Sequence, residues 1–420
     1  MTFNSKKEKF IFFNIPVILF SLTPFFLITG PFLSDFAISL ISILFIIYCI
    51  RTKQLFYFKN KYFYFFLVFW AYLLINSLIN NFNLDSLKIS FFYFRYGFFV
   101  IAVVALLDVD NKFIKYFFYC IFICFVSLIL DGFYQYLTGQ NVFGWKSTVR
   151  TSSFFGDEQI LGSYLSRLWP IFLGLSIIVF KKKNFLFFVL ILIFVLSEAL
   201  IFLSGDRSAF FYINLSAFFI ILFSKKLALL RIFTLLSSII LLVIISHVNP
   251  IAKERVIDLT LDQMNLSKKN EKNKEFYIFS KPHTHHYISA YRMYLDNKIL
   301  GVGVKNFRKF CKVKKYNKSV LSCAPHPHNT YIQILSETGL IGFIFLITVL
   351  IYFCVYILKH LLLRLKGSFY FTDFEICILS GIAMYLWPVV PTGNVFSNWI
   401  NIAMILNLPF LIWSRKSANQ

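Results

Sequence analysis

The stretch of residues 324–342 reads APHPHNTYIQILSETGLIG. It begins polar, with His326 and His328 set beside prolines, and then turns into an apolar helical pattern. One helix face is continuous, because four residues fall at positions i, i+3, i+4 and i+7: Tyr331, Ile334, Leu335 and Thr338. Asn329 lies where an N-cap residue is expected. The stretch therefore predicts a helix that begins in a polar loop and runs directly into a membrane span.

The composition is that of a membrane protein. Of the 420 residues, 58% are hydrophobic and 15% are charged, whereas soluble domains are about half apolar and about a quarter charged. The mean hydropathy is +0.71. Runs of roughly 20 apolar residues, the length that crosses a bilayer about 30 Å thick, recur along the chain. We therefore predict an all-α polytopic membrane protein.

About twelve transmembrane helices are predicted from these apolar runs. Their approximate bounds are 10–29, 32–50, 62–80, 91–107, 113–137, 160–180, 184–204, 208–224, 228–248, 337–358, 373–390 and 397–413. Lysine and arginine cluster at both termini and in the even-numbered connections, which is the positive-inside pattern of cytoplasmic segments. This alternation predicts that both termini are cytoplasmic and that the connection between spans 9 and 10 lies outside.

That connection is the main interruption of the membrane part. It is rich in lysine, but connections longer than about 60 residues are exempt from the positive-inside rule. Its helix-like stretches predict one large helical extracytoplasmic loop. The predicted division is residues 1–248 for spans 1–9, 249–329 for the large loop, and 330–420 for the edge helix and spans 10–12.

The net charge of +23 would suggest a nucleic-acid partner in a soluble protein. Basic residues on cytoplasmic loops account for it here, and no nucleic-acid partner is predicted. Five of the seven cysteines lie in apolar runs and are expected to pack as small hydrophobic residues. Cys311 and Cys323 share the large loop, where they form a disulfide if the loop faces an oxidising compartment. No cleavable signal peptide is expected, because the first apolar run is too long and no Ala-x-Ala site follows it.

His328 is the first candidate site residue. Its side chain would lie just before a helix N-terminus, where unpaired N–H groups and the helix dipole favour an anion. A neutral histidine in that place can act as a general base or hydrogen-bond an anionic group. The alternative is that His326 and His328 only cap the helix or lie at the membrane interface, and the local sequence by itself favours this alternative.

Three arginines on the predicted outer side are candidates for binding phosphate. They are Arg207, in the turn SGDRS at 204–208, and Arg150 and Arg292 in the outer loops. Arginine recognises phosphate in a planar, bidentate geometry. The alternative for each is an ordinary interfacial arginine, which for Arg207 includes pairing with Asp206.

Four other charged residues fall within or near apolar runs: Arg95, Arg167, Asp131 and Glu198. Charges inside a membrane are costly and often functional, although long side chains near span ends also extend their charged groups to the interface. The sequence HTHH at 283–286 offers possible metal ligands, but no cysteine pair or acidic ligand lies at ligand spacing. We therefore expect solvated loop histidines there, no metal and no cofactor.

Five segments, in order along the chain, resemble the O-antigen ligase and O-antigen polymerase superfamily. They are GFYQY at 132–136 with Gly139, Phe143, Arg150 and Phe154-Phe155; LSGDRS at 203–208; Arg292 with LGVGVKNF at 300–307; HPHNTY at 326–331 with ETGLIG at 337–342; and PTGN at 391–394 with FSN at 396–398. Asp206 departs from the pattern of that family, in which this position is often small or hydroxylated. The first four predicted spans carry none of these motifs.

The resemblance implies a membrane glycosyltransferase of the bacterial inner membrane with its large loop in the periplasm. Such enzymes take a glycan from an undecaprenyl-diphosphate carrier and pass it to an acceptor hydroxyl of lipid A core, another glycan or a protein. The implied chemistry is inverting and metal-independent. By resemblance, His328 is the catalytic histidine, and Arg207 and Arg292 bind the diphosphate. Supporting roles fall to Asn329, His326 and Arg150.

A single His-Asn element and one long outer loop late in the chain favour an O-antigen ligase of lipopolysaccharide biosynthesis, with lipid A core as acceptor. The alternatives in the same superfamily are an O-antigen polymerase, which joins repeat units, and a protein O-oligosaccharyltransferase. A polysaccharide transporter or flippase is the alternative from another class. It predicts internal repeats, and none is visible in the sequence.

Overall fold

A computed structural model describes residues 1, 3–80, 82–147, 150–180, 184–248, 253–263, 279–317 and 319–418. Within these ranges the chain is almost entirely helical, and it contains no β-strand beyond one isolated bridge between Gln140 and Lys146. Parts of the predicted large loop, residues 249–252 and 264–278, lie outside the described residues. The all-α class predicted from the sequence is confirmed.

The main helices are numbered here in chain order. They are α1 (Lys6–Thr29), α2 (Pro31–Thr52), α3 (Lys61–Ile79), α4 (Leu84–Phe92), α5 (Phe94–Val109), α6 (Ile114–Thr138), α7 (Leu161–Val179), α8 (Asn184–Leu203), α9 (Arg207–Phe223), α10 (Ala228–Val248), α11 (Lys281–Asp296), α12 (Thr330–Leu365), α13 (Asp373–Leu386), α14 (Asn398–Ile405) and α15 (Asn407–Ala418). Short helical turns lie at Leu55–Phe58, Asn111–Phe113, Ser153–Glu158, Glu254–Asp258, Leu259–Gln263 and Phe307–Phe310.

Eight helical segments in the described part of the chain are long and apolar enough to cross a membrane. They are α1, α2, α3, the α4–α5 pair, α6 with the turn before it, α7, α10 and α12. Most of α8 and all of α9 are apolar but shorter. The prediction of a polytopic membrane protein is therefore confirmed, whereas the number of twelve spans stays a prediction.

Two of the predicted spans are each divided into two helices. At both breaks a side chain donates a hydrogen bond to a backbone carbonyl. The span predicted at 91–107 is instead the pair α4 and α5, which meet at Tyr93. At this break the Trp70 indole N–H donates to the Ser90 carbonyl at 3.0 Å. The span predicted at 397–413 divides into α14 and α15, and the Asn407 side chain donates to the Ala403 carbonyl at 3.3 Å. The hydrophobic periodicity of the sequence does not indicate these hydrogen bonds, whether the side chain is distant along the chain, as for Trp70, or local, as for Asn407.

Helix α7 lies at the centre of the packing. All of its residues from 164 to 176 are buried, and Trp169 is one of the largest fully buried side chains. A helix that is enclosed around its whole circumference belongs to the interior of a bundle. Helices α9 and α13 both pack against it and against each other. These three helices form the rigid base beneath the candidate site.

Helix α12 is broken near its start by Gly339. This residue has φ 64° and ψ −164°, a backbone conformation that is essentially restricted to glycine. The break exposes two helix carbonyls, which accept hydrogen bonds from the loop before them. Val302 N donates to Ser336 O at 2.8 Å, and Gly303 N donates to Glu337 O at 2.9 Å. The loop at 300–307, here called the Gly-x-Gly loop after Gly301 and Gly303, is thus joined to the first turns of α12 through backbone hydrogen bonds.

Replacing Gly339 by alanine is expected to destabilise the protein by at least about 2 kcal/mol, because the backbone conformation alone costs about 1–3 kcal/mol for other residues. A Cβ at this position would also lie 2.6 Å from Gly301 N and collide with the Ile299 carbonyl. Thermal unfolding of the purified protein measures the effect. The matched control is Gly367→Ala, because Gly367 has φ 76° and a Cβ added there would meet nothing within 4 Å. Equal melting temperatures for the two variants would contradict the backbone contact.

The described part of the predicted large loop has a small core of its own. Helix α11 contributes Ala290 and Met293, which pack with Val302, Phe307 and Cys311. Cys311 and Cys323 form a disulfide, with 5.2 Å between their Cα atoms. Helix α11 also packs along α12. The described part of the large loop is therefore fixed to the start of α12.

Candidate active site

The site is built around the first turn of α12. Asn329 is the N-cap, as the sequence predicts, and its side-chain oxygen accepts from Tyr331 N at 3.0 Å and Ile332 N at 3.1 Å. Its amide nitrogen donates to Pro388 O at 2.7 Å. Asn329 therefore does two things at once, because it starts the helix and attaches it to the loop at 387–397.

His328 has a left-handed backbone, with φ 58°. This conformation costs roughly 1–2 kcal/mol for a residue with a side chain, and such strain concentrates at functional sites. The loop at 387–397 holds the strained residue in place, because Thr392 N donates to His328 O at 2.8 Å. The neighbouring His326 ring contacts the Thr392 carbonyl through Nε2 at 3.3 Å. A second loop thus fixes the backbone of His328 and the ring of His326.

Four imidazoles form a cluster. His283 and His286, three residues apart and on one side of α11, lie against His328 with ring centroids 5.4 Å and 5.6 Å from it. The rings of His326 and His328 are 4.0 Å apart, and His286 is buried. The prediction that residues 283–286 are solvated loop histidines is therefore wrong for these two. Within the described part of the chain, no three potential ligands are arranged to hold a metal ion.

Burial lowers the pKa of all four imidazoles. The pKa falls to about 4 for His283 and His286 and to about 3 for His326, with the neighbouring imidazoles as the next cause in each case. For His328, burial also lowers the pKa, and a hydrogen bond to the Thr392 backbone opposes it. The histidines are consequently neutral at physiological pH, so each ring retains a nitrogen that can accept a proton.

Arg207 lies beside this cluster at the first position of α9. The preceding residue, Asp206, caps the helix by accepting from Ala209 N at 3.0 Å, and its other oxygen accepts from Ser163 Oγ at 2.9 Å. Arg207 Nη1 donates to Thr260 Oγ1 at 3.2 Å. Its positive charge further lowers the pKa of His283, so the two groups are electrostatic neighbours. The tight turn thus presents a guanidinium to the histidines.

Arg150 reaches the same place from another loop and interacts electrostatically with Arg207. The loop is held by Gln135, whose side-chain oxygen accepts from Ser152 N at 2.8 Å and Ser153 N at 2.7 Å. Asp131 accepts from Ser153 Oγ at 2.6 Å. Gln135, one of the residues that resemble the superfamily, therefore supports this loop. The loop brings the guanidinium group of Arg150 close to that of Arg207, which carries the same charge.

Arg292 is placed differently. It follows His283 by nine residues on α11, which is about two and a half turns, so its backbone position is on the opposite side of the helix. Its Nη1 is buried without a hydrogen-bond partner among the described residues. The structure therefore joins His326, His328, Arg150 and Arg207 in one site, but it does not turn Arg292 toward the histidine cluster.

Several supporting residues have no motif that marks them in the sequence. Asn76 of α3 and Asn80, the C-cap of α3, both donate to the Leu300 carbonyl, Asn76 at 2.7 Å and Asn80 at 3.2 Å. Ser86 Oγ donates to Val304 O at 2.6 Å. They hold the Gly-x-Gly loop against the membrane helices. The only signal in the sequence was the presence of amide side chains inside an apolar run.

One known protein family matches part of the chain. Residues 188–347 match the family model described as O-Antigen ligase. The matched segment is less than half of the chain, and it contains Arg207, Arg292 and His328. None of the curated proteins that were compared with the chain matches it. The resemblance predicted from the sequence motifs is confirmed by the family match.

Proposed function

We propose, from the premise that residues 188–347 form the domain of the O-antigen ligase family, that this membrane protein transfers a glycan from undecaprenyl-diphosphate to an acceptor hydroxyl. The observation that carries the proposal is the position of His328, strained and neutral, in a histidine cluster next to two arginines. This position supports the proposal, because an imidazole that can accept a proton lies close to groups whose positive charge can stabilise a diphosphate.

The proposed reaction is a displacement at the anomeric carbon. The acceptor oxygen forms the new bond to that carbon, the bond from the carbon to the diphosphate oxygen breaks, and the diphosphate leaves with the electron pair. The acceptor proton passes to the neutral imidazole of His328. The new bond forms on the face opposite the leaving group, so the configuration inverts. The leaving group is already activated, so the proposed reaction needs no metal ion and no nucleotide.

Two electrostatic effects lower the activation barrier of the proposed transfer. Arg207 and Arg150 stabilise the charge that develops on the departing diphosphate, and their mutual repulsion makes an anionic ligand between them favourable. The same diphosphate raises the proton affinity of the imidazoles, whose pKa is low without it. His328 then becomes a stronger base when the donor is bound. The resemblance alone supports the assignment of Arg292 to the diphosphate.

The proposed orientation places the site on the periplasmic face of the bacterial inner membrane, with both termini in the cytoplasm. The alternation of basic connections supports it. The disulfide between Cys311 and Cys323 also supports it, because disulfides persist in oxidising compartments such as the periplasm. A carrier lipid would reach the site laterally, between the membrane helices and the large loop.

The proposed acceptor is lipid A core, which makes the protein an O-antigen ligase. Deleting its gene is expected to remove long glycan chains from lipid A, because the last transfer is lost, and lipid-linked polymer should accumulate. Electrophoresis of surface lipopolysaccharide, with mass spectrometry of the carrier lipid, measures both effects. Expression of the wild-type chain should restore the long chains.

Other outcomes of this deletion separate the alternatives. Lipid A that carries a single repeat unit would identify an O-antigen polymerase instead. Normal lipopolysaccharide together with the loss of glycans from proteins would identify a protein O-oligosaccharyltransferase. Full-length polymer trapped on the cytoplasmic face would contradict a transferase and favour a transporter or flippase.

A further inference from the structure

A buried arginine lies below the candidate active site. Arg167, on α7, is 5% exposed. Its guanidinium is held between two aromatic rings, 4.9 Å from the ring centre of Tyr212 on α9 and 5.4 Å from that of Tyr385 on α13. All three helices of the rigid base therefore contribute to this group.

Four polar atoms of this group are buried and, within the described part of the chain, unpaired. Arg167 Nε and Nη1 are buried and have no hydrogen-bond partner among the described residues, and the same is true of the hydroxyls of Tyr212 and Tyr385. Arginine nitrogens can only donate, and each tyrosine hydroxyl also has a proton to donate. The group therefore offers four unsatisfied hydrogen-bond donors on three helices, together with one positive charge. These features match an anionic ligand with several hydrogen-bond acceptors.

Other buried arginines differ from Arg167 in one respect. Arg95 forms an ion pair with Asp35 at 2.6 Å, and Arg231 interacts electrostatically with Glu198. In the described part of the chain, no carboxylate pairs with Arg167. A buried charge without a partner is costly, and the contacts with two aromatic faces offset only part of that cost. Stability alone does not explain why an arginine stands at this position.

The group is continuous with the candidate active site. Tyr212 follows Arg207 by five residues on α9, about 7.5 Å along the helix axis. Tyr287 on α11 interacts electrostatically with Tyr212, and its ring stacks on His283 with centroids 6.4 Å apart. The Tyr287 hydroxyl is also buried without a partner among the described residues. Unpaired donors thus lead from the histidine cluster toward Arg167.

We propose that Arg167, Tyr212 and Tyr385 form an anion-binding subsite for the phosphate of a lipid diphosphate that lies nearer to the lipid. This inference rests on the proposed function and deepens it. Arg207 and Arg150 hold the phosphate that carries the glycan, and Arg167 holds the adjacent phosphate deeper between the helices. The two levels of positive charge then align the diphosphate with the lipid chain toward the membrane interior.

Binding of undecaprenyl diphosphate to the full-length protein in lipid nanodiscs tests the subsite. Arg167→Met is expected to weaken binding by at least about 10-fold, the effect of losing one charge-assisted contact. The melting temperature without the lipid should stay the same or rise, because an unpaired buried charge is removed. Tyr385→Phe removes one hydroxyl without loss of ring packing, so it tests the subsite even if Arg167→Met fails to fold. It should weaken binding several-fold.

Arg95→Met is the matched control. This variant removes an equally buried arginine that has a carboxylate partner, so the melting temperature should fall while the affinity for undecaprenyl diphosphate is unchanged. Wild-type affinity in both Arg167→Met and Tyr385→Phe would overturn the subsite. A second arm measures inorganic pyrophosphate, which should bind the wild type much more weakly than the lipid. Equal affinity would overturn the assignment to a lipid-linked ligand.

Different experimental results would refute the proposed function and the proposed subsite. A wild-type protein that binds undecaprenyl diphosphate through Arg167 but transfers no glycan refutes the proposed function and leaves the subsite standing. A wild-type protein that transfers glycan, with an Arg167→Met variant that binds and transfers equally well, refutes the subsite alone.

Discussion

Replacing His328 by alanine is expected to reduce glycan transfer by at least about 100-fold, the lower end of what a positioned general base contributes. The variant loses the group that accepts the acceptor proton. It also loses one member of the histidine cluster. The fold should persist, because the helix start depends on Asn329 and on backbone contacts with Thr392. Transfer from a purified lipid-diphosphate-linked glycan to acceptor, measured in nanodiscs, gives the rate.

His285→Ala is the appropriate control for this experiment. His285 is on the same helix as His283 and His286, but it makes none of the ring contacts of the cluster. It should retain the wild-type rate. Transfer by His328→Ala at the wild-type rate, with unchanged melting temperature, would show that His328 is not the catalytic histidine.

Arg207→Lys is expected to lower the same transfer rate by about 10–100-fold, which corresponds to losing one charge-assisted hydrogen bond of about 1.5–3 kcal/mol. Lysine keeps the charge but cannot offer two parallel donors to a phosphate. Since the diphosphate is the leaving group, the loss should fall on the rate constant of transfer as well as on donor affinity. Both are obtained from transfer rates over a series of donor concentrations.

Arg51→Lys controls for the substitution itself, because Arg51 is an exposed arginine in the last turn of α2. It should show wild-type kinetics. If Arg207→Lys weakens donor affinity but leaves the rate constant intact, Arg207 contributes to binding only. Wild-type values for both would remove it from the diphosphate site.

The sequence predicted those features of the site that depend on neighbouring residues. Asn329 was identified as an N-cap because capping requires a short polar side chain directly before an apolar helical pattern. The Ser-Gly-Asp-Arg turn was visible because two apolar runs leave a short polar connection between them. The class of fold followed from the length and frequency of the apolar runs.

Features that depend on distant partners were not predictable. His283 and His286 are separated from His328 by more than forty residues, and only the packing of α11 on α12 brings them together. The break at Gly339 interrupts a segment whose periodicity continues without change. It is stabilised by hydrogen bonds from Val302 and Gly303, which periodicity cannot indicate. Arg292 shows the same difficulty, because the sequence does not reveal which side of a helix will face the site.

The break at Gly339 also determines how the site responds to the surrounding bilayer. Beyond it, the apolar arm at 340–358 extends for about 29 Å, close to a hydrocarbon thickness of about 30 Å, and it ends before the basic residue Lys359. Only 6% of the most apolar part of α12 is buried inside the protein. In a thinner bilayer, the resulting hydrophobic mismatch is relieved by tilting of such a helix. Because the helical turns at 330–338 are fixed by backbone contacts to the preceding loop, we expect a tilt of this arm not to be transmitted to them. We therefore expect His328 to keep its alignment with Arg207 in membranes of different thickness.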